Sequence, residues 1–252
     1  MSPISRISTF FQYIGSLGLF IKNSLWCLTT HKLDWRLLKR EIRIIGLESF
    51  FLVTLIAFFI GIIIAFQTAY QLKLFASEIY IASLVSLSLV RELGPVISSL
   101  IVAARSGAAI TAGIGTMKIS EQVDALETFS VNPINYLVVP KLIALLIVMP
   151  ILVVYADFTG IIGGYVVGAT KLSIPPQLYF RMTFDALRIK DIASGAIKSI
   201  CFGGLIAFIA SYEGFKPFSS TDVSRSVTFS VVRSFIAIIV FDCILTALFY
   251  FL

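Results

Sequence analysis

Charged residues leave the chain for long intervals, and those intervals set its architecture. From Ser49 to Leu72 there is no ionisable residue of the Asp, Glu, Lys or Arg type. Comparable stretches cover about 79–104, 142–170, 192–212 and 230–251, each holding at most two such residues. In a helix, roughly 20 apolar residues cross about 30 Å of hydrocarbon. The pattern therefore predicts an all-α integral membrane protein with five transmembrane helices, read as one domain over 1–252. Ahead of the first span the period changes. Ile4, Ile7, Phe11, Ile14, Ile21, Leu25 and Leu28 fall on one helical face, with Gln12, Ser16 and Asn23 opposite. That predicts an interfacial amphipathic helix over about 4–30, not a cleavable signal with a compact apolar run and a small-residue cleavage site.

Composition agrees with the pattern. Of 252 residues, 58% are hydrophobic and only 13% charged, too little charge to clothe a water-soluble domain of this size. The net charge of +6 serves orientation and anionic lipid head groups here and does not point to nucleic acid. Arg36, Lys39, Arg40 and Arg43 precede the first span, Lys118 and Lys141 flank the 114–135 connection, and Lys216 and Arg225 flank the last one. The positive-inside rule then puts the N-terminus in the cytoplasm and the C-terminus outside. A bacterial inner membrane is the expected location, an organelle inner envelope the other. Cys27, Cys201 and Cys243 are scattered and without a C-x-x-C pair, so packing is their role, and no metal site is indicated.

Between the spans the sequence predicts polar connections: a turn marked by Lys73 and Glu78, a 114–135 segment, a 171–191 loop with Pro175 and Pro176, and a stretch from Glu213 to Arg225. The third span reads as interrupted at Pro150 and Asp157. In the 114–135 segment, Ser120 is placed to cap a short helix over about 120–128, with Ile119, Val123 and Leu126 on one face. Glu121, Asp124 and Glu127 form an acidic ridge, and Asn132-Pro133 ends the helix. Such a helix is a natural handle for a soluble partner. Small residues recur every fourth position at Gly160, Gly164 and Gly168, and at Gly195, Ser199, Gly203 and Ala207, for close packing within the chain or across a dimer.

Enzyme chemistry finds little to use. Gly195-Ala-Ile-Lys198-Ser199 ends like a phosphate-binding loop but lacks its glycine spacing and lies within a span. The single histidine, His31, is outside the spans, so a Ser–His dyad or histidine-ligated metal has no candidate there. The intramembrane ionisable residues Arg91, Glu92, Lys198 and Asp242 are more informative, because each is costly in hydrocarbon unless paired or hydrated. Neighbours on a helix point about 100° apart, so Arg91 and Glu92 require different surroundings. A basic group on another helix for Glu92 is the expected arrangement. Either these residues tie helices together or they line a hydrated substrate cavity. A self-contained ion-coupled carrier or channel would also use them, although no inverted repeat is evident.

Residues 90–141 also resemble a known family. Val90-Arg-Glu-Leu-Gly-Pro95, Ala104-Arg-Ser-Gly107, Gly115-Thr-Met117, Glu121-Gln-Val-Asp-Ala-Leu126, Asn132-Pro133 and Tyr136-Leu-Val-Val-Pro140 are similar to the MlaE-type permeases, as are Ile197-Lys-Ser199 with Phe202-Gly203 and the closing Asp242-x-x-Leu-Thr246. The resemblance implies a homodimeric ATP-binding-cassette permease for phospholipids or related lipids. ATP and Mg would be bound by a separate cytoplasmic ATPase, with an Mce-domain protein on the outer side. It further implies a lipid cavity including Arg91, Glu92 and Lys198, and a coupling helix using Glu121, Gln122, Asp124, Leu126 and Glu127. Two places depart from the family pattern: Gly113 stands where Glu is common, and 219–228 lacks the usual glycine-rich stretch.

Overall fold

The computed structural model describes residues 3–30, 34–73 and 80–251, with backbone only for 3–10, Thr30 and Phe251. His31, Lys32, the turn containing Glu78, and the side chains of Ile4 and Ile7 lie outside the described residues. The described elements are helices: α1 (Pro3–Thr30), α2 (Trp35–Lys73), α3 (Ile81–Ile119), α4 (Gln122–Thr128), α5 (Ile134–Lys171), α6 (Pro176–Ala186), α7 (Ile189–Gly214) and α8 (Ser220–Tyr250). No strand occurs among the described residues. Five of the helices, α2, α3, α5, α7 and α8, are long and apolar enough to cross a membrane. The chain is an all-α integral membrane protein.

Helix α5 is the axis of the bundle. Leu142, Leu145, Met149 and Leu152 are buried in one apolar cluster with Val102 of α3, Phe202 and Ile206 of α7, and Ile238 of α8. A second apolar cluster fills the other end, where Ile81, Val85 and Leu89 of α3 meet Ile161 of α5 and Tyr179 of α6. In lipid, association rests on close packing, since tails outside are as apolar as the core. Glycines supply that closeness. A Cβ on Gly61 of α2 would run into the carbonyl of Gly160, and one on Gly163 into the carbonyl of Phe58. On α7, a Cβ at Gly195 would meet the Val90 carbonyl at 2.7 Å, and one at Gly203 the Leu145 carbonyl at 2.9 Å. Gly160, Gly164, Gly195 and Gly203 are thus taken up by packing within one chain.

The helices outrun the predicted spans, and the reason is electrostatic. The second span was expected to end near 104, yet α3 continues to Ile119, because Arg105 meets Glu48 of α2 at 2.7 Å. The third was expected from 142, yet its helix begins at Ile134, and Lys141 meets Glu41 of α2 at 2.9 Å. A charge that finds a partner on the next helix does not mark a helix end. Pro150 does not interrupt α5, which runs through it; neighbouring helices in a bundle accommodate such prolines. The stretch expected to be polar up to Arg225 is already helical from Ser220, with the Ser219 hydroxyl accepting from the Asp222 N–H at 3.4 Å.

The loop expected over 171–191 contains α6. Pro176 starts it, and Tyr179 anchors it, only 1% exposed and packed over Gly164 and Gly168 of α5. Its hydroxyl donates to the Ile161 carbonyl at 3.3 Å, and burial pushes its ionisation above the usual phenol range. Helix α1 turns Tyr13, Leu17, Phe20, Ser24 and Cys27 toward the bundle and leaves Phe11, Ile14, Leu25 and Trp26 exposed. The exposed residues include much of the apolar stripe read from the sequence.

The glycine seam makes a test. Gly61→Ala should destabilise the chain by about 1–3 kcal/mol through overpacking against Gly160. Gly113→Ala, with nothing within 4 Å of its Cβ, should leave stability unchanged or slightly raised. Thermal unfolding of both purified variants in detergent reads the difference directly.

Candidate functional site

Helix α3 departs from α-helical geometry twice, and both departures carry arginines. π-helical turns span Leu89–Leu93 and Ala103–Gly107. Each π turn inserts a residue and rotates the downstream part of the helix by about 100°. The second sends Arg105 to Glu48 and brings the Ser106 hydroxyl within 3.1 Å of that of Ser49. The first presents Arg91 and Glu92 to α7 and α8. Gly94, just beyond it, has no room for a side chain, because the Asp157 carboxylate of α5 occupies that space.

Lys198 is the centre of the site. It is 0% exposed on α7. Its Nζ donates to Glu92 Oε2 at 2.6 Å, to Thr246 Oγ1 at 2.7 Å and to the Arg91 carbonyl at 3.1 Å. Asp242 Oδ1 lies 2.9 Å away as a second anionic partner. An ammonium has three protons to give, and here all three have acceptors. Pro95, four residues on, has no N–H to offer the Arg91 carbonyl, which accepts from Lys198. The Thr246 hydroxyl in turn donates toward Glu92, 3.1 Å from both carboxylate oxygens.

Arg91 points elsewhere, as adjacency on a helix requires. Its Nε is 2.8 Å from Asp191 Oδ1, and its guanidinium lies 5.1 Å over the Tyr250 ring. Asp191, in the first turn of α7, also accepts the Arg188 backbone N–H through Oδ2 at 3.1 Å, so it caps the helix and holds the arginine together. Ser194 and Tyr250 hydroxyls are 3.1 Å apart and close the edge of the network. Lys198 is sealed, whereas Arg91 and Glu92 are each about a third exposed (35%). The site is a buried cation with an open, polar front.

Four of these residues, Arg91, Glu92, Lys198 and Asp242, were singled out from sequence, the first three as a candidate site, and the structure brings Glu92, Lys198 and Asp242 together. Asp191, Ser194, Thr246 and Tyr250 were missed as site residues. Asp242, Thr246 and Tyr250 recur every fourth residue and so share a face of α8; that spacing was the available signal. Asp191 had none, since it lay in a segment read as loop.

The second candidate region is α4. Ser120 does not cap it: its hydroxyl donates to the Thr116 carbonyl at 2.8 Å and closes α3. Glu121 makes the corner between α3 and α4 with a left-handed φ of 58°. The helix then runs Gln122–Thr128, shorter than the expected 120–128. Val123 is buried and Leu126 half-buried, while Glu121, Gln122, Asp124 and Glu127 are exposed. Asp124 meets Lys118 at 2.7 Å, so part of the acidic ridge is already balanced. Asn132 does not end α4 but starts α5, its Oδ1 accepting the Ile134 N–H at 2.9 Å, with Pro133 next in line as helix starts favour. A groove of about 700 Å³ beside α4 is lined by Val123, Glu127, Asn132, Phe20 of α1, Tyr212 of α7 and Lys216 of the α7–α8 connection. The N-terminal helix, the α3–α5 connection and the α7–α8 connection therefore share one end of the bundle.

Residues 38–248 match the family model described as Permease MlaE. The chain belongs to the MlaE permease family. Relatives of similar length agree with this placement. A probable ABC transporter permease protein of Rickettsia typhi is 41% identical over 240 residues, covering 95% of this chain and 93% of the relative. The intermembrane phospholipid transport system permease protein MlaE of Haemophilus influenzae is 31% identical over 245 residues, covering 96% and 94%. A probable ABC transporter permease protein of a Synechocystis strain is 34% identical over 215 residues, covering 83% and 82%. As a family member, the chain is the permease component of an ABC transporter, and ATP hydrolysis belongs to a separate subunit.

The Lys198 network predicts unequal losses. Lys198→Met leaves Glu92 and Asp242 facing each other without a cation and should cost about 3–5 kcal/mol. Glu92→Gln leaves Asp242 to balance the ammonium and should cost about 1–3 kcal/mol. Unfolding in mixed micelles measures both; equal losses would show that Asp242 does not share the charge.

Proposed function

We propose that this permease moves phospholipids or closely related lipids, with the Arg91–Glu92–Lys198 network as the polar seat for the head group. The observation that carries the reading is the mixed exposure of that network. Charges that only tie helices together need no more than one another, yet here Lys198 is sealed by its partners while Arg91 and Glu92 keep about a third of their surface open to a further group. Arg91 offers donors suited to a phosphate, and Glu92 an acceptor for a head-group amine or hydroxyl. The name of the Haemophilus influenzae relative, an intermembrane phospholipid transport permease, supports lipid as cargo.

The open front lies beside α8, whose apolar span is only 11% buried within the chain. A second copy facing this helix would enclose the site, which favours a homodimer with the lipid cavity between copies. The α4 end, with the basic approach to α2, is the cytoplasmic side in this reading, and the C-terminus is outside. A cytoplasmic ATPase, binding ATP and Mg, docks on Glu121, Gln122, Asp124, Leu126 and Glu127. An Mce-domain protein meets the opposite face, near α6, and the membrane is a bacterial inner membrane.

Reconstitution with the ATPase and Mce-domain partners separates these claims. Arg91→Gln and Glu92→Gln should each slow ATP-dependent transfer of fluorescent phospholipid about tenfold, the loss of roughly 1.4 kcal/mol of binding, while the complex stays assembled. Glu121→Lys combined with Glu127→Lys should instead prevent co-purification of the ATPase from a folded, inserted permease. Ion-gradient-driven flux through the chain alone, indifferent to ATP, would replace this reading with the carrier.

A further inference from the structure

A groove of about 1010 Å³ runs between α1 and α8 and shares no lining residue with the Lys198 network. Its walls are apolar: Ile14 and Leu17 from α1, Ile209 from α7, Ile236 and Val240 from α8. Its head is cationic. Glu213, 1% exposed, accepts from Lys216 Nζ at 2.9 Å and also from the Arg233 guanidinium. Lys216 Nζ sits 4.1 Å from the centre of the Tyr212 ring and 4.4 Å from that of Tyr13, and the Arg233 guanidinium lies 4.1 Å over Tyr13. Aromatic faces hold cations without cancelling their charge.

The charge does not balance. Lys216 and Arg233 face one carboxylate, and Asp222 and Arg225 in the adjoining hollow offset each other, which leaves about one positive charge at the head of the groove. An ammonium has three N–H donors and a guanidinium five, so one carboxylate cannot use them all. Both side chains are a third exposed (35%). Lys216 also lines the groove beside α4, so the cationic head lies at the α4 end of the bundle, and the apolar trough from Ile236 to Phe241 runs away from it along the membrane-spanning helix α8.

A cationic head at the α4 end with an apolar trough beneath has the shape and charge of one amphiphile. We propose that this groove seats a phosphate-bearing membrane lipid from the leaflet at the α4 end, its phosphate on Lys216 and Arg233 and an acyl chain along Ile236–Phe241. Charge complementarity selects the occupant. The leaflet presents a phosphate at that end with its apolar chains attached, whereas a protein helix would have to bring a carboxylate to the same point. The seat is independent of the head-group site proposed at Arg91, Glu92 and Lys198.

Photo-crosslinking of the full chain in phosphatidylcholine nanodiscs tests it, using trace phosphatidic acid or diacylglycerol with the same diazirine-bearing tail. The phosphate-bearing probe should label peptides containing Leu17 and Val240 about fivefold more than diacylglycerol, as one net interfacial charge predicts. Lys216→Gln should bring that preference close to unity. Ala237→Trp fills the trough without touching the cations and should abolish groove labelling by both probes, while labelling around Leu89 beside the other site persists. Equal labelling by the two probes, or labelling unchanged in Ala237→Trp, overturns the lipid seat. So does a quantitative disulfide between Val240→Cys residues of two copies on a background without Cys27, Cys201 and Cys243, which would show a second copy in the groove.

Discussion

A buried ammonium with three hydrogen-bond acceptors and a second carboxylate beside it is the constraint around which three helices of this permease are arranged. Lys198 has no exposure, and an unpaired charge there would cost several kcal/mol. The neighbours are set to meet that cost: Glu92 from a π turn of α3, Asp242 and Thr246 from one face of α8, and the Arg91 carbonyl of α3. Each acceptor fixes an orientation. The π turn sets the rotation of α3, the spacing of Asp242 and Thr246 sets that of α8, and the close approach at Gly195 brings α7 against Val90.

The same economy recurs along the helices. Arg105 on Glu48 and Lys141 on Glu41 tie α3 and α5 to α2 at the α4 end, where the long helix emerges from the apolar slab. The opposite end is held differently, by Tyr179 over a pair of glycines and by aromatic packing against Tyr165 and Phe180. Ion pairs to α2 thus secure the end rich in basic residues, and at the other end aromatic packing over glycines works beside the Arg91–Asp191 pair. Tyr13 fits this division: it joins α1 to the bundle under two cations, and burial together with the Glu213 carboxylate keeps its hydroxyl protonated far above neutral pH.

Spans, family and the pairing of Glu92 with a base on another helix were legible because each leaves a local mark: a gap in charge, a motif, or an intramembrane acid needing a partner. The ends of helices were not. Reading Arg105 and Lys141 as boundaries comes from treating charge as a signal for water, and the signal fails when the partner is 57 or 100 residues away. Ser120 was misplaced for a related reason. A serine before an acidic residue fits a helix start, but its hydroxyl can equally bond back one turn, and the left-handed Glu121 decides between them. Helix α6 was hidden because it is short and its buried face holds Tyr179 and the polar Thr183 one turn on, not a long apolar stripe.

The carbonyl beneath Lys198 has a consequence for how this site is encoded. Two of the three groups its protons reach, and the Asp242 carboxylate beside it, are side chains, open to replacement where they stand. The third is the backbone carbonyl of residue 91, which Pro95, one helical turn away, leaves without an N–H from that position while contributing no atom to the site. Comparing chains by the residues that touch Lys198 would pass over Pro95 entirely. A chain carrying every contacting side chain but another residue at 95 would set an N–H to share that carbonyl with the ammonium, with no visible change in its lining.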